Sequence, residues 1–122
     1  MSAFVISKRW GENFKFTFAN RRGKTIFTSI ACREKSDCIR IIDTLQNDLS
    51  SFTFRKARTG SGKYFFRITR GGLVLATSRK FTTERLLEKG IDQFMNHVLD
   101  AETLDFSQSE DIFADADALA EE

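Results

Sequence analysis

The chain has 122 residues, 41% hydrophobic and 30% charged, a composition that suits one soluble globular domain and excludes both a disordered chain and two independent domains. No apolar run approaches the ~20 residues of a membrane span, and no basic stretch precedes a long apolar segment near Met1, so a cytoplasmic protein without a membrane partner is expected. The net charge of +2 conceals a division: residues 100–122 hold nine acids and no base, leaving a body of +11 in residues 1–99 joined to a tail of −9.

In chain order, Phe4-Val5-Ile6-Ser7-Lys8 opens a first strand, and Phe14, Phe16 and Phe18 alternate with Lys15 and Thr17 in the period-2 pattern of a strand with one buried face. Asn20-Arg21-Arg22-Gly23 reads as a turn, because Asn and Gly accept positive φ. Ile26, Thr28 and Ile30 then mark a third strand. The period changes to helical at Cys38, Ile41, Ile42 and Leu45, with Ser36 or a neighbour as the cap. The order then recurs. Phe52-Thr53-Phe54-Arg55-Lys56 is followed by a longer turn, Arg58-Thr59-Gly60-Ser61-Gly62, by Tyr64–Arg70, by Gly71-Gly72 and by Leu73–Lys80. Leu87, Ile91, Phe94 and Val98 complete a second helix behind a cap at Thr82.

Two β-β-β-α copies, at about 4–48 and 52–99, are therefore offset by 48 residues at their start and 49 at their end. A copy of roughly 48 residues is too small to bury a core alone. The expected fold is α+β: the two repeats share one core in a pseudo-twofold domain over residues 1–99, an antiparallel sheet packed on two helices. Phe14, Phe16, Phe18, Ile42, Leu45, Phe66, Ile68, Ile91 and Phe94 are the expected buried set.

The second copy carries Gly62-Lys63-Tyr64-Phe65-Phe66-Arg67-Ile68, then Gly72, Ser78, Phe81 and Gly90-Ile91, and in this it resembles the YegP-like family of tandem β-β-β-α proteins, whose function is not established. The resemblance covers about residues 4–98 and implies six antiparallel strands on two helices, with no catalytic residue to carry over. The first copy departs from it, with Cys32 where Phe81 stands in the second and Ile41 in place of the glycine before Ile42. The acidic tail is no part of the family unit.

Catalytic patterns are weak. Thr59-Gly60-Ser61-Gly62-Lys63-Tyr64 resembles a phosphate-binding loop, but Ala57 stands where its first glycine belongs, Tyr64 replaces the Ser or Thr, and a strand follows instead of a helix. It reads as a hairpin turn. His97 reads as a solvent-facing or packed helix-end residue, since no nucleophile motif accompanies it. Cys32 and Cys38, with one distant histidine, make no zinc pattern; a buried reduced pair is expected, and a disulfide is the alternative. No enzyme, metal or cofactor is expected.

The basic residues carry the functional reading. Lys15, Arg21, Arg22, Lys24, Arg55, Arg58, Lys63, Arg67 and Arg70 lie on strands and turns, with Phe27 and Phe65 offered as aromatics on the sheet face away from the helices. Bases interleaved with rings suit a nucleic-acid platform, where bases stack and phosphates meet Lys and Arg. The tail, residues 100–122, reads as disordered or as a short amphipathic helix. Asp105, Phe106, Glu110, Asp111, Ile112, Phe113 and Asp115 are its candidate contact residues, either docking on the basic body or capturing a basic partner that handles nucleic acid. The partner is thus nucleic acid or a protein that handles it, and the chain is read as a monomer, with a dimer as the alternative.

Overall fold

The structure, a computed structural model, describes residues 2–107. The first half consists of β1 (Ala3–Lys8), β2 (Phe14–Ala19), β3 (Thr25–Ser29) and α1 (Lys35–Asn47). The second repeats that order in β4 (Thr53–Arg58), β5 (Tyr64–Arg70), β6 (Leu73–Ser78) and α2 (Glu84–His97), and β7 (Glu102–Asp105) follows. All the strands form one sheet in the order β4-β5-β6-β3-β2-β1-β7.

The halves join edge to edge, β3 pairing antiparallel with β6 through Phe27↔Ser78, Thr28↔Thr77 and Ser29↔Ala76. Adding 49 to 27, 28 and 29 gives 76, 77 and 78, so the register maps onto itself. An approximate twofold axis therefore passes through the Thr28–Thr77 pair. Each half also has the same irregularity. The register of β2 on β3 slips between Phe18 and Ala19, and that of β5 on β6 slips between Ile68 and Thr69. One extra residue then inverts the alternation on the bulged strand. Phe27, expected on the open face, is consequently buried at 0% exposure, stacked on Phe18 with ring centroids 5.7 Å apart. Ser29 and Ser78 turn inward with it. Each accepts the N–H of a core phenylalanine (Phe16 at 2.9 Å, Phe66 at 2.8 Å) and donates to the next carbonyl, of Ile30 or Arg79.

Both helices cover the face that carries Phe4, Ile6, Phe16, Phe18, Phe66 and Ile68, and the core is one body. Phe94 of α2 lies edge-on to Phe18 at 4.8 Å and Phe27 at 5.0 Å in the first half, and tilted on Phe54 at 5.9 Å in the second. Of the expected buried set, Phe14 and Ile91 are partly buried and pack against the core; the rest are buried.

Where the copies differ in sequence, they differ in packing. A Cβ on Gly90 would stand 2.8 Å from Cζ of Phe81, so the ring rests on bare helix backbone. In the first half Cys32 replaces that ring and Ile41 replaces that glycine, which exchanges bulk between strand and helix.

Three expectations are corrected. Among the described residues the sheet has seven strands and not six: β7 lies parallel to β1, Ala3↔Glu102 to Ile6↔Asp105, so residues 102–105 are neither disordered nor helical. Gln46 of α1 steadies the approach to β7, its side-chain N–H groups donating to the carbonyls of Val98 and Ala101 at 3.0 and 2.9 Å. The caps also move. Thr83, one residue after Thr82, accepts the N–H of Leu86 for α2; Ser36 lies inside α1, whose cap residue Glu34 makes no side-chain bond.

Candidate functional site

Charge is segregated between the layers. The six antiparallel strands carry Lys8, Lys15, Arg55, Lys56, Arg58, Arg67 and Arg70 and not one Asp or Glu; the eight acids of residues 1–99 sit on the helices, at their ends, or at Glu12. Register defines one continuous row across the face that neither helix covers: Arg55, Arg67, Thr77, Thr28, Thr17, Val5 and Leu104. It runs from a basic end, over three hydroxyls, to an apolar end. Arg55 and Arg67 are direct cross-strand partners and both exposed. Like charges placed directly opposite destabilise a sheet, so this pair is a cost to the fold. The guanidinium of Arg67 lies 4.8 Å from the centroid of the half-buried Phe65 ring. A stacked guanidinium holds its plane fixed while its N–H edge faces solvent.

The nine expected basic residues divide into four groups. Lys15, Arg55 and Arg67 project from the open face. At the β4–β5 hairpin, Lys63 is exposed, and Arg58, which shares the parity of core-facing Phe54, lies over the Tyr64 ring at 5.5 Å. Arg70 is engaged elsewhere, its Nε donating to the Ser51 hydroxyl at 3.0 Å and its guanidinium 3.9 Å from Asp48. Arg21, Arg22 and Lys24 lie at the β2–β3 turn, where they line a cleft of about 630 Å³ with Lys89, Gln93 and His97 of α2. Lys89 and Gln93 escaped the sequence reading, and His97 reads there only as a helix-end residue, although their i, i+4, i+8 spacing is the signature of a single helix face.

Asp105 and Phe106, the described members of the tail set, have structural places. The hydroxyl of Ser107 donates to Asp105, whose other oxygen is 2.9 Å from the Lys35 ammonium. These partners hold its carboxyl below the usual range, against the opposing effect of partial burial. Phe106 is exposed, with its N–H donating to the Ile6 carbonyl at 2.9 Å. Glu110, Asp111, Ile112, Phe113 and Asp115 lie outside the described residues.

Cys32 and Cys38 are free and buried. Burial first, and then the hydrogen bond with Cys32, pushes the Cys38 thiol up to about 12, so it stays protonated and un-nucleophilic. Among the described residues no cluster of three or more His, Cys, Asp or Glu could hold a metal ion, and no helix is long and apolar enough to cross a membrane.

No protein-family model matches the chain. A UPF0339 protein encoded in the 5′ region of the ptx operon of Stutzerimonas stutzeri is 26% identical over 103 residues, covering 83% of this chain and 92% of the relative. The solution structure of a UPF0339 protein from Shewanella oneidensis superposes with a TM-score of 0.79 at 20% identity, over 88% of this chain and 92% of that one. The yegP protein of E. coli, described as of unknown function, gives 0.78 at 20% identity, over 87% and 93%. The chain therefore has the YegP/UPF0339 fold, and its relatives are uncharacterised proteins that point to no catalytic family.

Proposed function

We propose that the chain is a non-enzymatic binding module that holds a nucleic-acid strand, or a comparable polyanion, on the uncovered face of its sheet. The directly opposed Arg55–Arg67 pair beside Phe65 carries this reading. Two guanidinium groups kept together at a cost to the sheet suit a site where phosphates supply the missing counter-charge, and Phe65 offers a ring for base stacking. The acid-free strands β1–β6 give the surrounding field its sign.

The residues after Ser107 modulate this binding in the same reading. They contain six acids and no base, tethered at an effective concentration of order millimolar, and they compete with an incoming polyanion. Because β7 belongs to the sheet, the informative truncation ends at Ser107 and leaves β7 in place.

The experiment is fluorescence anisotropy with a short single-stranded DNA at two salt concentrations. Arg55→Ala/Arg67→Ala should weaken binding and lower the log–log salt slope by ~0.7 for each phosphate no longer neutralised. Truncation after Ser107 should tighten binding at low salt. If the truncated protein binds neither single-stranded nor duplex DNA at low salt, the reading fails, and capture of a basic protein partner by Glu110, Asp111, Ile112, Phe113 and Asp115 takes its place.

A further inference from the structure

We infer that the cleft between the β2–β3 turn and α2 is a second anion site, separate from the sheet face, and that its ligand is a compact oligophosphate. Although α2 belongs to the second half, Phe94 anchors it over Phe4, Phe18 and Phe27 of the first. Its polar stripe of Lys89, Gln93 and His97 therefore meets Arg21, Arg22 and Lys24. Four basic side chains and an imidazole converge, and none of the described lining residues is a carboxylate. Such a concave cluster of like charge focuses a positive field.

The approximate twofold supplies an internal control. Residues 49 positions before Lys89, Gln93 and His97 are Arg40, Thr44 and Asp48, and the matching β5–β6 turn holds Arg70 followed by two glycines. There the single turn base is occupied, Arg70 lying 3.9 Å from Asp48 and bonding Ser51. Over the β2–β3 turn, His97 of α2 stands in place of that carboxylate, and three turn bases stand in place of one. At equivalent scaffold positions, one half thus holds a surface ion pair and the other an accumulation of like charge.

The backbone of the turn is also tightly closed. The side-chain oxygen of Asn20 accepts the N–H groups of Arg22 and Lys24, each at 3.0 Å, and the N–H of Gly23, at φ +79, donates to the Asn20 carbonyl at 2.9 Å. A turn closed in this way leaves little backbone entropy to be lost on binding. The ligand class follows from size and lining. About 630 Å³ lies within the range of small-molecule sites. The described lining, which also includes Ser2 and Asn20, contains no aliphatic side chain and no aromatic ring besides the imidazole. A nucleobase would find no apolar ring to stack on, whereas adjacent phosphates would meet guanidinium forks and ammonium groups.

The test is isothermal titration calorimetry of the full chain with inorganic tripolyphosphate at physiological salt, without divalent cations. Saturable one-to-one binding is expected. Arg22→Ala and Lys89→Ala should each weaken it roughly three- to tenfold, as expected for removing one charge-assisted hydrogen bond at a half-open site. Arg55→Ala/Arg67→Ala should leave it unchanged, so failure here and failure of the sheet-face reading are separately visible. Adenosine triphosphate, with the same phosphate chain, should bind within about threefold of tripolyphosphate, since the described lining offers no apolar stacking surface. The inference is overturned if tripolyphosphate binds no better than sulfate or citrate, if the Arg55/Arg67 variant loses it equally, or if adenosine triphosphate binds more than about tenfold tighter.

Discussion

Gly90 offers the sharpest trial of the packing, because its replacement by alanine sets two opposed effects against each other. Glycine inside α2 costs about 1 kcal/mol of helix stability relative to alanine, so helix propensity alone would make Gly90→Ala stabilising. The added methyl, however, would stand 2.8 Å from Cζ and 3.2 Å from Cε1 of Phe81. That ring has little room to retreat, since Phe81 is 7% exposed and its backbone is bonded in both directions to Tyr64, at 2.7 and 2.8 Å. Overpacking of this kind costs ~1–3 kcal/mol, which leaves a net destabilisation of about 1 kcal/mol. In thermal unfolding followed by circular dichroism, Gly90→Ala should lower Tm by roughly 4 °C. In a Phe81→Leu background the clashing ring atoms are gone, and the same alanine should raise Tm relative to Phe81→Leu alone. If Gly90→Ala stabilises the wild-type chain as much as it stabilises Phe81→Leu, close approach of ring and backbone is not why glycine stands there.

Other substitutions probe the shared core and β7. Phe94→Ala should cost ~3–5 kcal/mol in urea unfolding and loosen both halves in one transition, because that ring touches strands from each. Ser29→Ala and Ser78→Ala should each cost ~1–3 kcal/mol, as each leaves a core phenylalanine N–H without its acceptor; similar losses are expected from the near-equal geometry. Asp105 is held below the usual carboxylate range, so the native state takes up its proton less readily than the unfolded chain. Its contribution is thus complete above the ordinary carboxylate pKa and lost as pH falls through the lowered native value. The contribution is worth ~0–1 kcal/mol for so exposed a pair, and Asp105→Asn should flatten the Tm difference between about pH 6 and pH 3.

Much of this fold is legible in the residues. The alternation of Phe14, Phe16 and Phe18, the Asn20–Gly23 turn and the helical spacing of Leu87, Ile91, Phe94 and Val98 are local signals, and each became the element they describe. Ile26, Thr28 and Ile30 mark the third strand but not its facing: a bulge adds one residue, so Ile26 stays buried while Phe27 and Ser29 also turn inward and Ile30 is exposed. Ser29 and Ser78 recur at the repeat spacing, and two buried serines at one offset are the trace such bulges leave in a sequence. β7 left no comparable trace: Glu102-Thr103-Leu104-Asp105 has one apolar residue in four, and only the waiting edge of β1 makes it a strand. The candidate sheet site was partly visible, as Arg55 and Arg67 were named, but their facing register depends on pairing. The cleft was less so, because α2 crosses into the opposite half and no local pattern reports that.

The parallel seating of β7 on β1 has a kinetic consequence. Hairpins β1–β2, β4–β5 and β5–β6 close short loops, and β3 meets β6 at a separation near 50, whereas Ala3 and Glu102 are 99 residues apart. Doubling a loop adds only ~0.6 kcal/mol of closure entropy, so the strand is tolerated at equilibrium. Its contacts are nonetheless the least local in the sheet, and such pairings form late. The nascent or partly opened chain therefore presents β1 as a bare edge, rich in Phe4, Val5 and Ile6, until residues 102–105 arrive. An open hydrophobic edge of that kind templates association between chains. Amide exchange should find the β7 amides opening ahead of the β3–β6 seam, and loss of the strand should favour self-association well before it unfolds the remainder.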